Sequence, residues 1–387
     1  MNRRTFLMAT GAAAVAATSR ARAQEKKKYK ACILGDTNNG GYGHSMYHAF
    51  ALRPDVEVVG LADPDETGRA KAGKEAGAKN LYADYREMLE KEKPDLVAVG
   101  PRHTTRHKEY VLACAAAGAH GYLEKPLALD CAEGDEMLIA TEGKHLKWAM
   151  AYNMRFSPLM VALRKAIVED RLIGSLLEMR ARGKEDDRAG GEDLVVLGTH
   201  MMDLMRYFAG DPRWCMADIT QNGQEAEAGE AHEASEPLGP ILGNRLHAVY
   251  GFEMGVAGHF SSMKTSEPGA RWGVDFYGNQ GIVSVRTEYV PKISWLDDPS
   301  WSPGISGKTW QTVPGLPEFK IEDESRERHK YIVDDWIEAI EQDRAPGASL
   351  RDGLAALEMV QAVWQSHVDG KRVGLPLEKR AHPLKTV

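Results

Sequence analysis

Between residues 30 and 151 the chain repeats one unit: a short apolar run, then a helical stretch. The apolar runs fall at 30–34, 56–62, 95–99, 120–123 and 146–151. Helical stretches follow at 43–53, 66–76, 84–91, 105–117 and 129–142, the last two closed by Gly118 and Gly143. Continuous apolar strands are buried on both faces, and the intervening helices supply the crossovers of a parallel sheet. Such crossovers are right-handed. The pattern predicts a doubly wound α/β domain over residues 29–152.

After about residue 156 the pattern changes. Residues 158–169 and 198–208 read as helices. Strand-like runs lie at 174–181, 214–221, 245–252, 256–263, 273–277 and 282–286, most of them separated by Gly or Asn. This is the signature of an open, largely antiparallel sheet. The acidic, Ala-rich segment 224–236 reads as a mobile surface loop, and 291–324, rich in Pro, Gly, Ser and Trp, as a long loop. Helices at 329–342 and 351–368 end the chain. The expected fold class is α/β: an N-terminal Rossmann doubly wound parallel sheet plus a C-terminal α+β domain over 153–387. With 387 residues the chain has the length for two cores.

Residues 1–23 read as an export signal. Arg3 and Arg4 precede Thr5-Phe6-Leu7, a short apolar stretch runs to Thr18, and Ala21-Arg22-Ala23 offers a cleavage site before Gln24. The paired arginines have the form of a twin-arginine signal, which predicts a periplasmic protein. The apolar stretch is too short and Ala-rich to predict stable membrane insertion. A net charge of −7 supplies no basic field for nucleic acid. The four cysteines, Cys32, Cys114, Cys131 and Cys215, match no zinc spacing. Cys32 and Cys114 read as buried apolar residues.

The first turn after a strand runs Gly35-Asp36-Thr37-Asn38-Asn39-Gly40-Gly41-Tyr42-Gly43-His44. Glycines between a strand and a helix let backbone N–H groups approach a pyrophosphate. The strict G-x-G-x-x-G spacing is absent, because Thr37 stands at the second glycine position and the turn is long. Asp63 ends the second strand 20 residues after Gly43, where an acid binds a ribose 2′-hydroxyl and repels a 2′-phosphate. NAD is therefore expected ahead of NADP. At the carboxyl edge of the fourth strand stands Glu124-Lys125-Pro126. A lysine there can give a proton to a substrate oxygen, with Glu124 to orient it.

In this order of motifs the chain resembles the glucose–fructose oxidoreductase, inositol dehydrogenase and rhizopine-catabolism family (Gfo/Idh/MocA). The resemblance rests on the Gly35–His44 turn, Ala62-Asp63-Pro64, the run from Arg102 to His107, Ala117-Gly118 and Glu124-Lys125-Pro126. It continues through Asn153-Met154-Arg155-Phe156-Ser157-Pro158 and Gly198-Thr199-His200-Met201-Met202-Asp203. It implies hydride transfer with a sugar, polyol or related alcohol, in homodimers or homotetramers joined through the second sheet. Carried over, Lys125 and His200 are the acid–base pair. The first turn (Gly35, Asp36, Thr37, Gly40, Gly41, Gly43, His44), Asp63, Pro101, His103, His107 and Glu124 hold or border the dinucleotide. Asn153 and Arg155 lie near the substrate.

The family's dehydrogenases often carry an aspartate four residues before the histidine. This chain has Val196 there, and Glu192, Asp193 and Lys184 stand upstream as substitutes or added polar contacts. Three readings stay open: a dehydrogenase, a redox-neutral glycosidase or lyase using the same cofactor, and a non-catalytic sugar- or nucleotide-binding protein, which Val196 keeps open. An exported enzyme would hold its NAD tightly, because the periplasm supplies none. His103 and His107 are four apart but have no third ligand in the sequence pattern, so no metal is expected. Trp295, Trp301 and Trp310 are open between sugar stacking and loop anchoring.

Overall fold

The computed structural model describes residues 28–265, 269, 271–287 and 290–385. Residues 1–23, read from the sequence as an export signal, lie outside them. Six parallel strands form the first sheet: β1 Tyr29–Leu34, β2 Val56–Ala62, β3 Asn80–Tyr82, β4 Leu96–Val99, β5 His120–Leu123 and β6 Trp148–Met150. Their order is β3-β2-β1-β4-β5-β6. Strand order therefore reverses between β1 and β4, and ligands of doubly wound sheets bind at the carboxyl ends of such a pair. Helices α1 Glu66–Ala76, α2 Tyr85–Glu92, α3 His107–Ala116 and α4 Cys131–Glu142 make crossovers. Asp65, Asp84 and Asp130 cap α1, α2 and α4 with their side chains. The edge strand β3 was not expected; it is too short to show an apolar run.

The predicted helix over 43–53 is not formed. The segment is a series of turns with a single 3-10 turn at Met46–His48. Gly40, Gly41, Gly43 and Ser45 all have positive φ, and such residues cannot start a right-handed helix.

The second domain begins with α5 Pro158–Arg164, extended by a π turn over Lys165–Glu169, and β7 Leu176–Arg182. A helical column follows: α6 Gly191–Asp193, a π turn Leu194–Gly198 and α7 Thr199–Ala209. Then come β8 Pro212–Gln221, β9 Gln224–Glu225, β10 His232–Glu233, β11 Pro240–Ile241, β12 Arg245–Phe252, β13 Ala257–Met263, β14 Gly273–Gly278, β15 Gly281–Arg286 and β16 Lys292–Leu296. The chain ends with α8 Pro303–Ser306, α9 Glu324–Glu341, α10 Leu350–Asp369 and β17 Val373–Gly374. The large sheet has the order β16-β15-β14-β7-β13-β12-β8-β17, with β9 on β8. All its pairs are antiparallel except β13 with β7. Alternate residues of β13, such as Phe260 and Ser262, face the core.

Two segments read as loops carry structure. Residues 224–241 hold β9 and the β10–β11 hairpin, and 291–324 hold β16 and α8. Short strands without a strong apolar period are lost among turn residues, which is why sequence missed them. All four cysteines are buried and unbridged. The last helices return to the first domain. Ile332, Val333, Trp336 and Ile337 of α9 are buried with Tyr122 of β5, and Trp336 Nε1 donates to the Lys147 carbonyl at 2.9 Å. Each such buried side chain is worth about 1.5–3 kcal/mol.

Candidate active site

The turn after β1 is closed by reciprocal backbone bonds between Asp36 and Gly41 at 3.1 and 2.8 Å. Gly40 has φ of 87°, and a Cβ there would fall 2.6 Å from Arg102 N and 2.7 Å from His103 N. Only glycine lets this turn lie against the chain leaving β4. Asp36 accepts from Tyr110 Oη and Arg106 Nη1, both at 2.9 Å. Asp63 is fully buried and accepts from Thr37 N at 3.1 Å, Thr37 Oγ1 at 2.6 Å and Asp65 N at 2.9 Å. Its carboxylate thus ties the glycine turn to the end of β2 instead of standing open for a ribose, because Thr37, placed where a glycine was expected, has a hydroxyl to offer.

Beside it opens a cavity of about 290 Å³ lined by Gly35, Asp63, Pro64, Tyr85, Arg106 and Tyr110. A glycine turn at the switch point with a cavity next to Asp63 fits the adenosine end of a dinucleotide. The helix N-terminus expected to cradle its phosphates is absent, and the N–H groups of Asp36, Thr37, Asn39, Gly41 and Gly43 are already bonded within the turn or to Asp63.

His107 was expected to border the cofactor. It is buried between two backbone oxygens, Pro101 O at 2.6 Å and Leu127 O at 3.1 Å, and burial lowers its pKa. It pins the strand ends, and Pro101 serves it with a carbonyl. His103 is partly buried and its Nδ1 has no hydrogen-bond partner.

A second cavity, again about 290 Å³, lies between the domains. Gly43, His44, Lys125, Asn153, Lys184, Val196 and His200 line it. So do Arg102, Arg188, Glu236, Trp272, Glu324 and Arg328, none of which the sequence singled out as functional. Lys125 is 3% exposed and donates from Nζ to the Val196 carbonyl at 3.1 Å. Burial lowers its pKa, and the charge of Glu124 opposes that shift. Glu124 is fully buried, with Oε1 2.6 Å from His44 Nδ1 and Oε2 without a partner. Burial raises the Glu124 pKa, but His44 and Lys125 outweigh it and the net shift is downward. His200 stands edge-on to Tyr152, with ring centres 5.9 Å apart, and its Nδ1 is buried without a partner. Burial, then the Lys125 charge, hold its pKa well below the usual value, so the ring is neutral near pH 7.

Three expected substrate residues lie elsewhere. Arg155 is 6% exposed and paired with Asp203: Nε meets Oδ2 at 3.0 Å and Nη2 bonds Oδ1. It also donates to the Gly347 carbonyl at 2.6 Å, so it is a core clamp. Asp193 is fully buried and accepts from Ser262 Oγ at 2.6 Å and from the N–H groups of Lys184 and Glu185, each at 3.1 Å. Glu192 accepts from Ser235 N at 2.9 Å and Ser235 Oγ at 2.5 Å. Neither acid lines the cavity, so neither takes the place left by Val196. Proximity in sequence suggested them, but the helical column turns both side chains away. Of the loop tryptophans, Trp301 is an anchor, its Nε1 donating to the Gly278 carbonyl at 2.8 Å; Trp295 pairs through its backbone with Gln311, and Trp310 is exposed; none of the three lines the cavity. The cavity's aromatic wall is Trp272.

A dinucleotide-type Rossmann sheet facing a cavity with a buried lysine and a neutral histidine defines a nucleotide-dependent enzyme with acid–base capacity. Residues 38–152 match the model of the GFO_IDH_MocA oxidoreductase family, NAD-binding Rossmann fold, and residues 180–375 match its C-terminal alpha/beta domain. The chain belongs to this oxidoreductase family, and its N-terminal domain is the family's NAD-binding domain. It is 25% identical to D-apiose dehydrogenase of Paraburkholderia graminis, over 93% of each chain. It is 28% identical to myo-inositol 2-dehydrogenase of Thermotoga maritima, over 53% of this chain and 66% of that one. The solved structure of levoglucosan dehydrogenase in complex with NADH and levoglucosan shares the fold, with a TM-score of 0.72 at 20% identity, covering 90% of this chain and 99% of that one.

Proposed function

We propose that the protein is an NAD-dependent dehydrogenase of a sugar, polyol or related alcohol, with Lys125 as the group that moves the hydroxyl proton. The observation that carries this reading is the Lys125–Val196 contact. It holds a buried amine, its pKa lowered toward the working range, on the wall of the cavity that His200 and Asn153 share. NAD supplies the two-electron acceptor. Its adenosine end would lie in the cavity beside Gly35, Pro64 and Arg106, where the Asp63 carboxylate is already bonded to Thr37, and its pyrophosphate against the turn near Gly40. When deprotonated, Lys125 can take the substrate's hydroxyl proton at Nζ, and Glu124 stabilises the ammonium that forms. His200 stays neutral and orients the same oxygen through its ring N–H. Trp272 covers an apolar ring face. The D-apiose and myo-inositol enzymes act on polyhydroxy compounds by their names, which supports the substrate class.

The exported form would begin at Gln24, carry NAD tightly through export and work in the periplasm as a homodimer or homotetramer. The test uses protein purified from the exported fraction. Its bound nucleotide is identified by mass spectrometry, and its absorbance is followed with a panel of sugars and glycosides. NAD reduced by a sugar in the wild type but not in Lys125→Ala supports the reading. Aglycone release with no net reduction would replace it with the redox-neutral one. No nucleotide and no conversion would leave a binding protein.

A further inference from the structure

The β10–β11 hairpin lies far from the other cavity residues in sequence, yet it delivers a carboxylate into the cavity. Pairing of His232 with Ile241 and Glu233 with Pro240 frames the hairpin. Its tip is anchored where Glu192 receives both Ser235 N and Ser235 Oγ. The next residue, Glu236, has a side chain only 15% exposed and lines the cavity. Glu236 Oε2 lies 2.9 Å from Arg102 Nε, and Oε1 lies 3.5 Å from Arg188 Nη1. Arg102 follows β4 in the Rossmann domain and Arg188 precedes α6, so one carboxylate bridges the two domains across the cavity. Arg188 is further held by Asp186, at 2.6 Å from Nη2 and 3.1 Å from Nε.

Two guanidinium groups facing one point make a cradle for a carboxylate. Here the chain fills that cradle with its own. A substrate carboxylate would have to displace Glu236 or lie beside it, and like charges in a half-buried site repel. Hydroxyl groups face no such barrier: they donate to Glu236 and accept from the arginines, whose charges are already balanced. We propose that Glu236 is the specificity-determining carboxylate of this cavity, selecting neutral polyhydroxy substrates and excluding sugar acids by occupying the Arg102–Arg188 cradle. This rests on the dehydrogenase reading for the identity of the reaction, but not for the discrimination itself.

The test compares matched pairs of neutral sugars and their uronates on the NAD-loaded enzyme. Both turnover and calorimetric binding are measured, so that discrimination is read even where no oxidation occurs. The wild type should favour the neutral member by roughly tenfold or more, the scale of one unfavourable charge contact. Glu236→Gln should reverse that preference, chiefly through KM and Kd, with NAD still bound. Glu236→Asp should keep the wild-type preference. Equal discrimination in the wild type and Glu236→Gln would overturn the proposal, as would a wild-type preference for uronates. Loss of preference in Glu236→Asp as well would show that hairpin geometry, not charge, is responsible, and would overturn it too. Binding discrimination without oxidation of any sugar would sink the dehydrogenase reading and leave this one standing.

Discussion

Lys125 of the Rossmann domain donates to the backbone carbonyl of Val196 in the second domain across 3.1 Å. A carbonyl can position the amine but cannot take its proton, whereas a carboxylate at this place could do both. The amine is also costly to bury, since burial lowers its pKa. Lys125→Met should therefore lower kcat by about 10²–10⁴-fold while raising stability at neutral pH. Steady-state kinetics and urea unfolding on the same preparations check this. A variant with unchanged turnover would remove Lys125 from the chemistry.

Val196→Asp would add a carboxylate next to Lys125. An opposite charge favours the ammonium, so the pH limb that belongs to Lys125 should move upward. The pH dependence of kcat/KM in wild type and variant reads this directly, and identical profiles would exclude Lys125 as the titrating group.

The turn at Gly40 should tolerate no side chain. Its Cβ would meet two backbone nitrogens below 3 Å at a φ of 87°. Gly40→Ala should weaken NAD binding and also lower stability, because the clash is with backbone and the φ is strained for any residue but glycine. Fluorescence titration with NADH and a thermal melt separate the two effects.

Arg155 and Asp203 form a buried ion pair, so removing one partner strands a charge. Arg155→Ala should cost about 3–5 kcal/mol of stability, with no selective rise in KM among the molecules that remain folded. A large KM effect with normal stability would return Arg155 to the substrate site.

Acid should destabilise the fold through buried histidines. Burial lowers His329 and His382 to about 4 from the ordinary 6.5. Below 6.5 the unfolded chain takes up protons that the native chain refuses until about pH 4. Stability present above 6.5 is thus lost as pH falls, by about 2 kcal/mol from each group at pH 5. His382→Leu should shrink the stability difference between pH 7 and pH 5, and an unchanged difference would show that His382 does not titrate in this window.

The sequence named Lys125, His200, Asn153 and Lys184, and the fold brings all four to one cavity, because each lies near a strand end or helix start that the sequence pattern locates. Glu236, Arg102, Arg188 and Trp272 were not, because they come from irregular segments whose side chains gain meaning only when the chain closes on itself. Asp193 shows the opposite error: an acid close in sequence to the histidine, but aimed at Ser262.

The sequence alone determined the layers, since strand and helix periods are local properties of the chain: a parallel doubly wound sheet, then a largely antiparallel one, with a glycine turn and a lysine at the sheet edge. Tertiary structure decided which charges face the cavity and which are spent in the core. Side-chain direction there depends on long-range packing: the helical column turns Glu192 toward Ser235, and the hairpin that Ser235 belongs to carries Glu236 to Arg102.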